Sequence, residues 1–237
     1  PGSAGSMSAT RRNRSRHPSR PAAGAPSASH ERSARLCAAT TATPSAAQAF
    51  RPTHCRPRRP PVLAASAPIT RLVIVNVHNG PGAALDESYL AATHALRIHQ
   101  VSTAGYVDTD YGRRPVADIV ADVRSYLRWY GIEGVFLDQV SSGITELDHY
   151  EECVLAVRAA GVRFVALNPG THPHPGYIDL ANLTVTFEGT WFDYRGVALP
   201  GWVRDYPSGR FCHLVHSVPQ EAFTAALQLA SQRNVRS

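Results

Sequence analysis

Two short apolar runs, GVFLDQ at residues 134–139 and TVTFEG at 184–189, each stop abruptly at an acid, Asp138 and Glu188. A strand covered on both faces reads as an unbroken apolar run rich in β-branched and aromatic residues. A carboxylate at its last position then lies at the C-terminal rim of a parallel sheet. Barrel and open α/β folds assemble their chemistry at that rim.

The same texture recurs along the chain. LVIVNV at 72–77 runs into a turn cluster, His78-Asn79-Gly80-Pro81-Gly82, and residues 86–99 show helical spacing at Leu90, Ala95 and Ile98. VSTAGYVDT at 101–109 is the next strand. Pro115 opens a helix that reaches Trp129 and Tyr130, with Ile119, Val123, Tyr126 and Leu127 on one face. After GVFLDQ come a helix over about 145–160 closed by Gly161 and a strand, RFVALNPG, at 163–170. TVTFEG, an irregular stretch at 191–209, a strand at 211–216 (FCHLVH) and a helix from Pro219 complete the order. Strands alternating with helix-length segments predict an α/β fold of parallel strands joined by right-handed crossovers. Six strands are legible. That is too few for a closed (β/α)8 TIM barrel, and periodicity alone fits either an open doubly wound sheet or most of a barrel.

In a parallel sheet the carboxyl ends of the strands converge. The groups gathered there are Asn76, Tyr106, Asp108, Tyr111, Arg113, Asp138, Gln139, Asn168, Glu188 and His216, with Trp191 just beyond. Polar and acidic residues recurring at one end of nearly every strand predict a site on a rigid scaffold. Aromatic rings such as Tyr106, Tyr111 and Trp191 offer faces that stack on the apolar side of a sugar. Two carboxylates brought to one rim by two strands are the minimal equipment for acid/base or nucleophilic cleavage of a glycosidic bond. His78, His172, His174 and His216 lack the spacing of metal ligands, and no metal or cofactor is expected.

Charge is unevenly spread over the 237 residues. All 24 basic residues are Arg, a bias that reads as the coding habit of a GC-rich genome. Residues 1–60 carry a net +10 and residues 61–237 a net −4, so the overall +6 belongs to the head. The folded part is therefore not expected to bind nucleic acid. Residues 1–68 are rich in Arg, Pro, Ser and Ala without apolar periodicity, which predicts a disordered tail ahead of a domain at 69–237. A tether to an anionic polymer is the alternative role for that tail. Arg11-Arg12 and Ala47-Gln48-Ala49 resemble a secretion signal and its cleavage site, but the run between them is too polar for an h-region. Secretion or cell-surface display is the expectation, with a cytoplasmic location as the alternative. No apolar stretch reaches membrane-spanning length. The four cysteines are scattered, and Cys153 and Cys212 are expected to be buried free thiols.

Several segments, in order, carry a resemblance to a known family. They are VNVHNGPG (75–82), GYVDTDYGRR (105–114), RWYGIEGVFLDQ (128–139), LNPG (167–170), TFEG (186–189) and FCHLVH (211–216). Across roughly residues 70–232 the chain resembles the spherulation-specific family 4 (spherulin-4-like) proteins, the group classed with glycoside hydrolase family 135. The resemblance implies a (β/α)8-type barrel and endo-hydrolysis of an α-1,4-linked galactosaminogalactan at N-acetylgalactosamine units. It implies Asp138 and Glu188 as the catalytic acids, with Tyr106, Tyr111, Arg113 and Asn168 as pocket residues. Three departures stand out. Many members have Asp-Glu where this chain has Asp138-Gln139. The family's first strand is not recognisable in residues 50–66, and neither is a closing strand after the last helix. A TIM-barrel-like fold, incompletely closed, is therefore expected, with a non-catalytic polysaccharide-binding remnant as the alternative to an enzyme.

Overall fold

Each apolar run read from the sequence forms a strand, and the six strands lie side by side in chain order. The computed structural model describes residues 37–40 and 70–235, all within one compact unit, Arg32–Ser237. The sheet begins with β1 (Cys37–Thr40) and β2 (Thr70–Val75), which pair antiparallel. It continues through β3 (Ser102–Asp108), β4 (Gly134–Asp138), β5 (Phe164–Leu167), β6 (Leu183–Thr190) and β7 (Phe211–His216). From β2 to β7 every neighbouring pair is parallel, and the sheet curls into a half-barrel. β1 falls inside the stretch read as a tail. Its pairing covers backbone groups that an edge strand would otherwise leave open. The rest of that stretch lies outside the described residues.

The crossovers are helices whose ends follow local chemistry. α1 (Glu87–Ile98) starts where the Asp86 carboxylate accepts from the backbone N–H groups of Ser88 (2.8 Å) and Tyr89 (3.2 Å). α2 (Val116–Tyr130) is opened by Pro115 and stopped by Gly131 in the left-handed region. α3 (Leu147–Ala159) joins β4 to β5, and a single turn, α4 (Gly176–Leu180), suffices between β5 and β6. The segment read as irregular after β6 contains α5 (Trp191–Arg195), and α6 (Phe223–Gln232) follows β7.

Strand alternation divides the core into two layers. Val73, Val75, Val107, Val135, Leu137, Val165 and Leu167 face the helices and pack with Ile119, Val123, Tyr126, Tyr150 and Cys153. Leu72, Ile74, Ala104, Phe136, Ala166 and Val185 form a second cluster on the concave face. Burial on both faces is what the unbroken apolar runs require. Tyr126 crosses the outer layer and donates to the Val75 carbonyl at 2.9 Å. Its ring lies where a Cβ on Gly105 would come within 2.4 Å, so only glycine fits at that point of β3.

Candidate active site

Period-two alternation carries the concave face upward from its apolar floor to the strand ends. Above Ala104 stand Tyr106 and Asp108; above Phe136 stands Asp138; above Ala166 stands Asn168. β6 needs a device to join them, because counting in twos from Leu183 and Val185 would turn Glu188 toward the helices. A bulge supplies it. Val185 pairs with Cys212 and Phe187 with His213, leaving Thr186 as an extra residue. The Phe187 ring packs on Tyr194 and His213, and Thr186 Oγ1 lies 3.1 Å from His213 Nε2. Both therefore sit on one side, and Glu188 is turned to the concave face. Re-aiming a side chain is a recurrent use of bulges beside functional sites.

The two acids meet through one amide. Asn168 Nδ2 donates to Asp138 Oδ1 and to Glu188 Oε2, each at 2.7 Å. The amide oxygen is occupied elsewhere, accepting from the Gly170 N–H at 3.0 Å, which fixes which way the group points. Both oxygens bond the same nitrogen at 2.7 Å, so they lie no more than twice that distance, 5.4 Å, apart. Asp138 is half-buried and Glu188 exposed. The network continues on the other side of Asp138. Burial first, and then the neighbouring Asp138 carboxylate, push the Tyr106 phenol far above its usual range. Gln139 Nε2 donates to Asp108 Oδ2 at 3.1 Å.

Backbone bonds hold the rim rigid. Buried Thr109 places Oγ1 2.8 Å from the Asp138 carbonyl, 2.9 Å from that of Gln139 and 2.8 Å from the Tyr150 hydroxyl. The Tyr111 N–H donates to the Gln139 carbonyl at 2.8 Å, and the Glu188 N–H to the Gly170 carbonyl at 3.0 Å. Gln139, Asp110 and Tyr111 all adopt positive φ, between 46° and 54°. Non-glycine residues held there mark a backbone over-determined by its surroundings.

Asp108, Tyr106, Asp138, Gln139, Asn168 and Glu188 thus converge, and the other sequence candidates surround them. Asn76 Oδ1 accepts from the Gly80 N–H at 3.0 Å and shapes the turn after β2. Tyr111 is exposed, with Arg113 stacked 5.9 Å from its ring centre. Arg113 pairs with Asp110 at 2.5 Å, a contact that holds the Asp110 carboxyl below the usual range, and it does not reach the paired acids. Trp191 begins α5 and is half-buried, and His216 is exposed beside Ser217 at the end of β7. Thr109 and His213 were not singled out from the sequence. A buried threonine beside two carbonyls and a histidine inside an apolar strand carry no pattern that periodicity detects. Among the described residues the ion pairs join Arg113 to Asp110, Arg114 to Asp122 and Arg163 to Glu133. None neutralises Asp108, Asp138 or Glu188. A shallow cleft of about 330 Å³, lined by Arg97, Ser102, Glu133 and Arg163, lies at the opposite, N-terminal end of the strands and contains none of these acids. No group of three or more metal-ligating side chains occurs among the described residues.

The profile of spherulation-specific family 4 matches residues 61–236. A relative, Spherulin-4 of Physarum polycephalum, is 32% identical over 148 residues, 61% of this chain and 44% of that protein. The chain thus spans less than half the length of that relative. The solved structure of Aspergillus clavatus Sph3 in complex with GalNAc superposes with a TM-score of 0.61 at 22% identity, over 70% of this chain and 75% of that one. A chitinase from Rhizomucor miehei gives 0.41 at 8% identity, over 61% of each chain.

Proposed function

The chain belongs to spherulation-specific family 4, and from that premise and the geometry of its paired carboxylates we propose that it is an endo-acting glycoside hydrolase. Its substrate is an amino-sugar-containing exopolysaccharide, galactosaminogalactan-like with α-1,4 linkages. The observation that carries the reading is the Asn168 amide shared between Asp138 and Glu188. Two carboxylate oxygens held within 5.4 Å (twice 2.7 Å) of each other by one nitrogen suit the about 5–5.5 Å separation of retaining glycosidases better than the about 6.5–9.5 Å needed to seat an inverting enzyme's water. Retention of configuration is the outcome this reading favours.

The surroundings divide the roles. Asp138, half-buried and fixed by Asn168, attacks the anomeric carbon. Glu188, exposed and held by Asn168 alone, gives its proton to the departing oxygen. It then takes a proton from the water that releases the sugar. Three carboxylates with no cationic partner suit a ligand rich in hydroxyl and amide donors. Tyr111, just after β3, and Trp191, just after β6, provide ring faces for sugar stacking. The relative solved with GalNAc agrees with an N-acetylhexosamine in the site.

Reducing-end release from a panel of hexosamine polymers tests this. Wild-type protein is expected to cleave an α-1,4-galactosamine-containing polymer, and Asp138→Asn and Glu188→Gln to lose at least a thousandfold in kcat while remaining folded. Cleavage by both variants at wild-type rates would end the proposal. Gln139, standing where many relatives carry a second acid, favours one rival, a non-catalytic polysaccharide binder. That reading predicts polymer binding without reducing ends.

A further inference from the structure

Glu188 reaches the concave face because β6 carries an extra residue, so whatever holds that residue decides where the acid points. The register shifts between Val185, opposite Cys212, and Phe187, opposite His213. Thr186 and Phe187 both serve the outer side, and His213 meets both. Its Nε2 lies 3.1 Å from Thr186 Oγ1, and its ring stands edge-on to Phe187 with centres 6.1 Å apart. Its other nitrogen, Nδ1, is 2.7 Å from the Tyr194 hydroxyl. A neutral imidazole has one donor and one acceptor nitrogen, and a hydroxyl serves either, so all three groups are satisfied together. The far side of this clamp is itself fixed. Buried Arg233, after α6, lies 4.4 Å from the centre of the Tyr194 ring and donates to the carbonyls of Tyr194, Arg195 (3.1 Å) and Val197 (3.0 Å). The Phe187 ring packs 4.9 Å from that of Tyr194, and Gly189 leaves it room, since a Cβ there would come within 2.9 Å of the ring.

We infer that His213 and Thr186 are positioning residues for Glu188: their contact holds the β6 bulge, and the bulge sets the face on which the acid stands. Both serve the outer side of the sheet, away from the paired acids, and act on Glu188 through the backbone of β6. Without the contact, nothing at this point keeps the extra residue in place. Regular pairing with β7 would then turn Glu188 toward the helices, because a slip of one residue moves a side chain to the opposite face. Asp138 is insulated from this change. Its strand pairs with β3 and β5 only, and neither register involves β7. Loosening the clamp therefore removes one acid from the pair and leaves the other on Asn168.

The inference rests on the hydrolase reading only for its kinetic consequence, so the test has two arms. Thr186→Val keeps the branched shape but cannot bond His213, Thr186→Ser restores the hydroxyl, and His213→Phe keeps a ring without its nitrogens. In the first arm, the Asn168 side-chain NH₂ signals are followed by ¹⁵N NMR in the full chain, with Glu188→Ala as the reference for a lost Glu188 bond. Thr186→Val and His213→Phe are expected to move those signals toward the reference, and Thr186→Ser to leave them at the wild-type position. In the second arm, Thr186→Val is expected to lower kcat/KM on the polymer about tenfold. On an oligosaccharide with a dinitrophenyl leaving group, which departs without a proton, the loss should be less than about threefold, because the proton from Glu188 is no longer needed. Wild-type Asn168 signals in both Thr186→Val and His213→Phe would overturn the inference. Equal losses on the two substrates would overturn it too, since that is general damage to the fold. Should His213→Phe fail to fold, the Thr186 variants decide alone. A wild-type protein that cleaves nothing would sink the hydrolase reading and leave the NMR arm to decide this one.

Discussion

Asn168→Ala is the sharpest perturbation of the site, because it removes one group and exposes two acids to each other. In the form of the enzyme with both acids ionised, two negative charges no more than 5.4 Å (twice 2.7 Å) apart on the shared amide repel by roughly 1 kcal/mol with water-like screening and roughly 3 kcal/mol at an effective dielectric near 20. The amide now offsets that repulsion with two charge-assisted bonds of 2.7 Å, each of about 1.5–3 kcal/mol where solvent is excluded. Glu188 is exposed, so its bond counts toward the lower end. Without the amide, Glu188 swings into water and the Asp138 carboxylate loses its bond to Asn168. The expected loss is about 3 kcal/mol of transition-state stabilisation, roughly a hundredfold in kcat. KM should change little, because neither bond is made to substrate. The fold should survive, since water can enter an open rim. The assay is reducing-end release across substrate concentration, with thermal unfolding as the control. A folded Asn168→Ala protein with kcat within threefold of wild type would refute the claim that this amide organises the pair.

Two further outcomes follow from the scaffold. Gly105→Ala forces a methyl against the Tyr126 ring and is expected to cost about 2–3 kcal/mol, seen as a drop in Tm of several degrees by calorimetry; an unchanged Tm would show that the ring moves freely aside. His213 is held well below the usual imidazole range, at about 3, by burial first and then by His172 and Arg233. The folded protein therefore keeps it neutral while the unfolded chain takes up a proton below about pH 6.5. Stability should fall as pH drops from 6.5 toward 3, by up to about 1.4 kcal/mol per unit from this group. Urea unfolding between pH 7 and 5 should show the decline in wild type and a flatter profile in His213→Gln; parallel slopes would contradict it.

The sheet was legible because burial on both faces leaves a mark no other element leaves: LVIVNV, GVFLDQ and TVTFEG admit few polar residues until they reach the rim. The acids that end those runs could be placed at one end of the molecule for the same reason. The partnership between them was not legible. Nothing in LNPG says that the Asn168 side chain spans from β4 to β6, since that depends on strand order and on Gly170 claiming the amide oxygen. Arg113, a natural partner for an acid by sequence, is drawn instead to Asp110 three residues away, because a short bidentate contact on the same turn outcompetes a longer reach. Glu188 is the most instructive residue. Strict alternation from Val185 directs it away from the site, yet an argument that asks only which residue ends the strand finds it. The extra residue at Thr186 reconciles the two. It lets both Thr186 and Phe187 serve the contacts around His213 and Tyr194 while the next residue returns to the concave face. Where a strand must satisfy a packed outer layer and also deliver a carboxylate to its rim, position along the chain is the more robust signal, and the parity of the side chain is set by whether the packing demands a bulge.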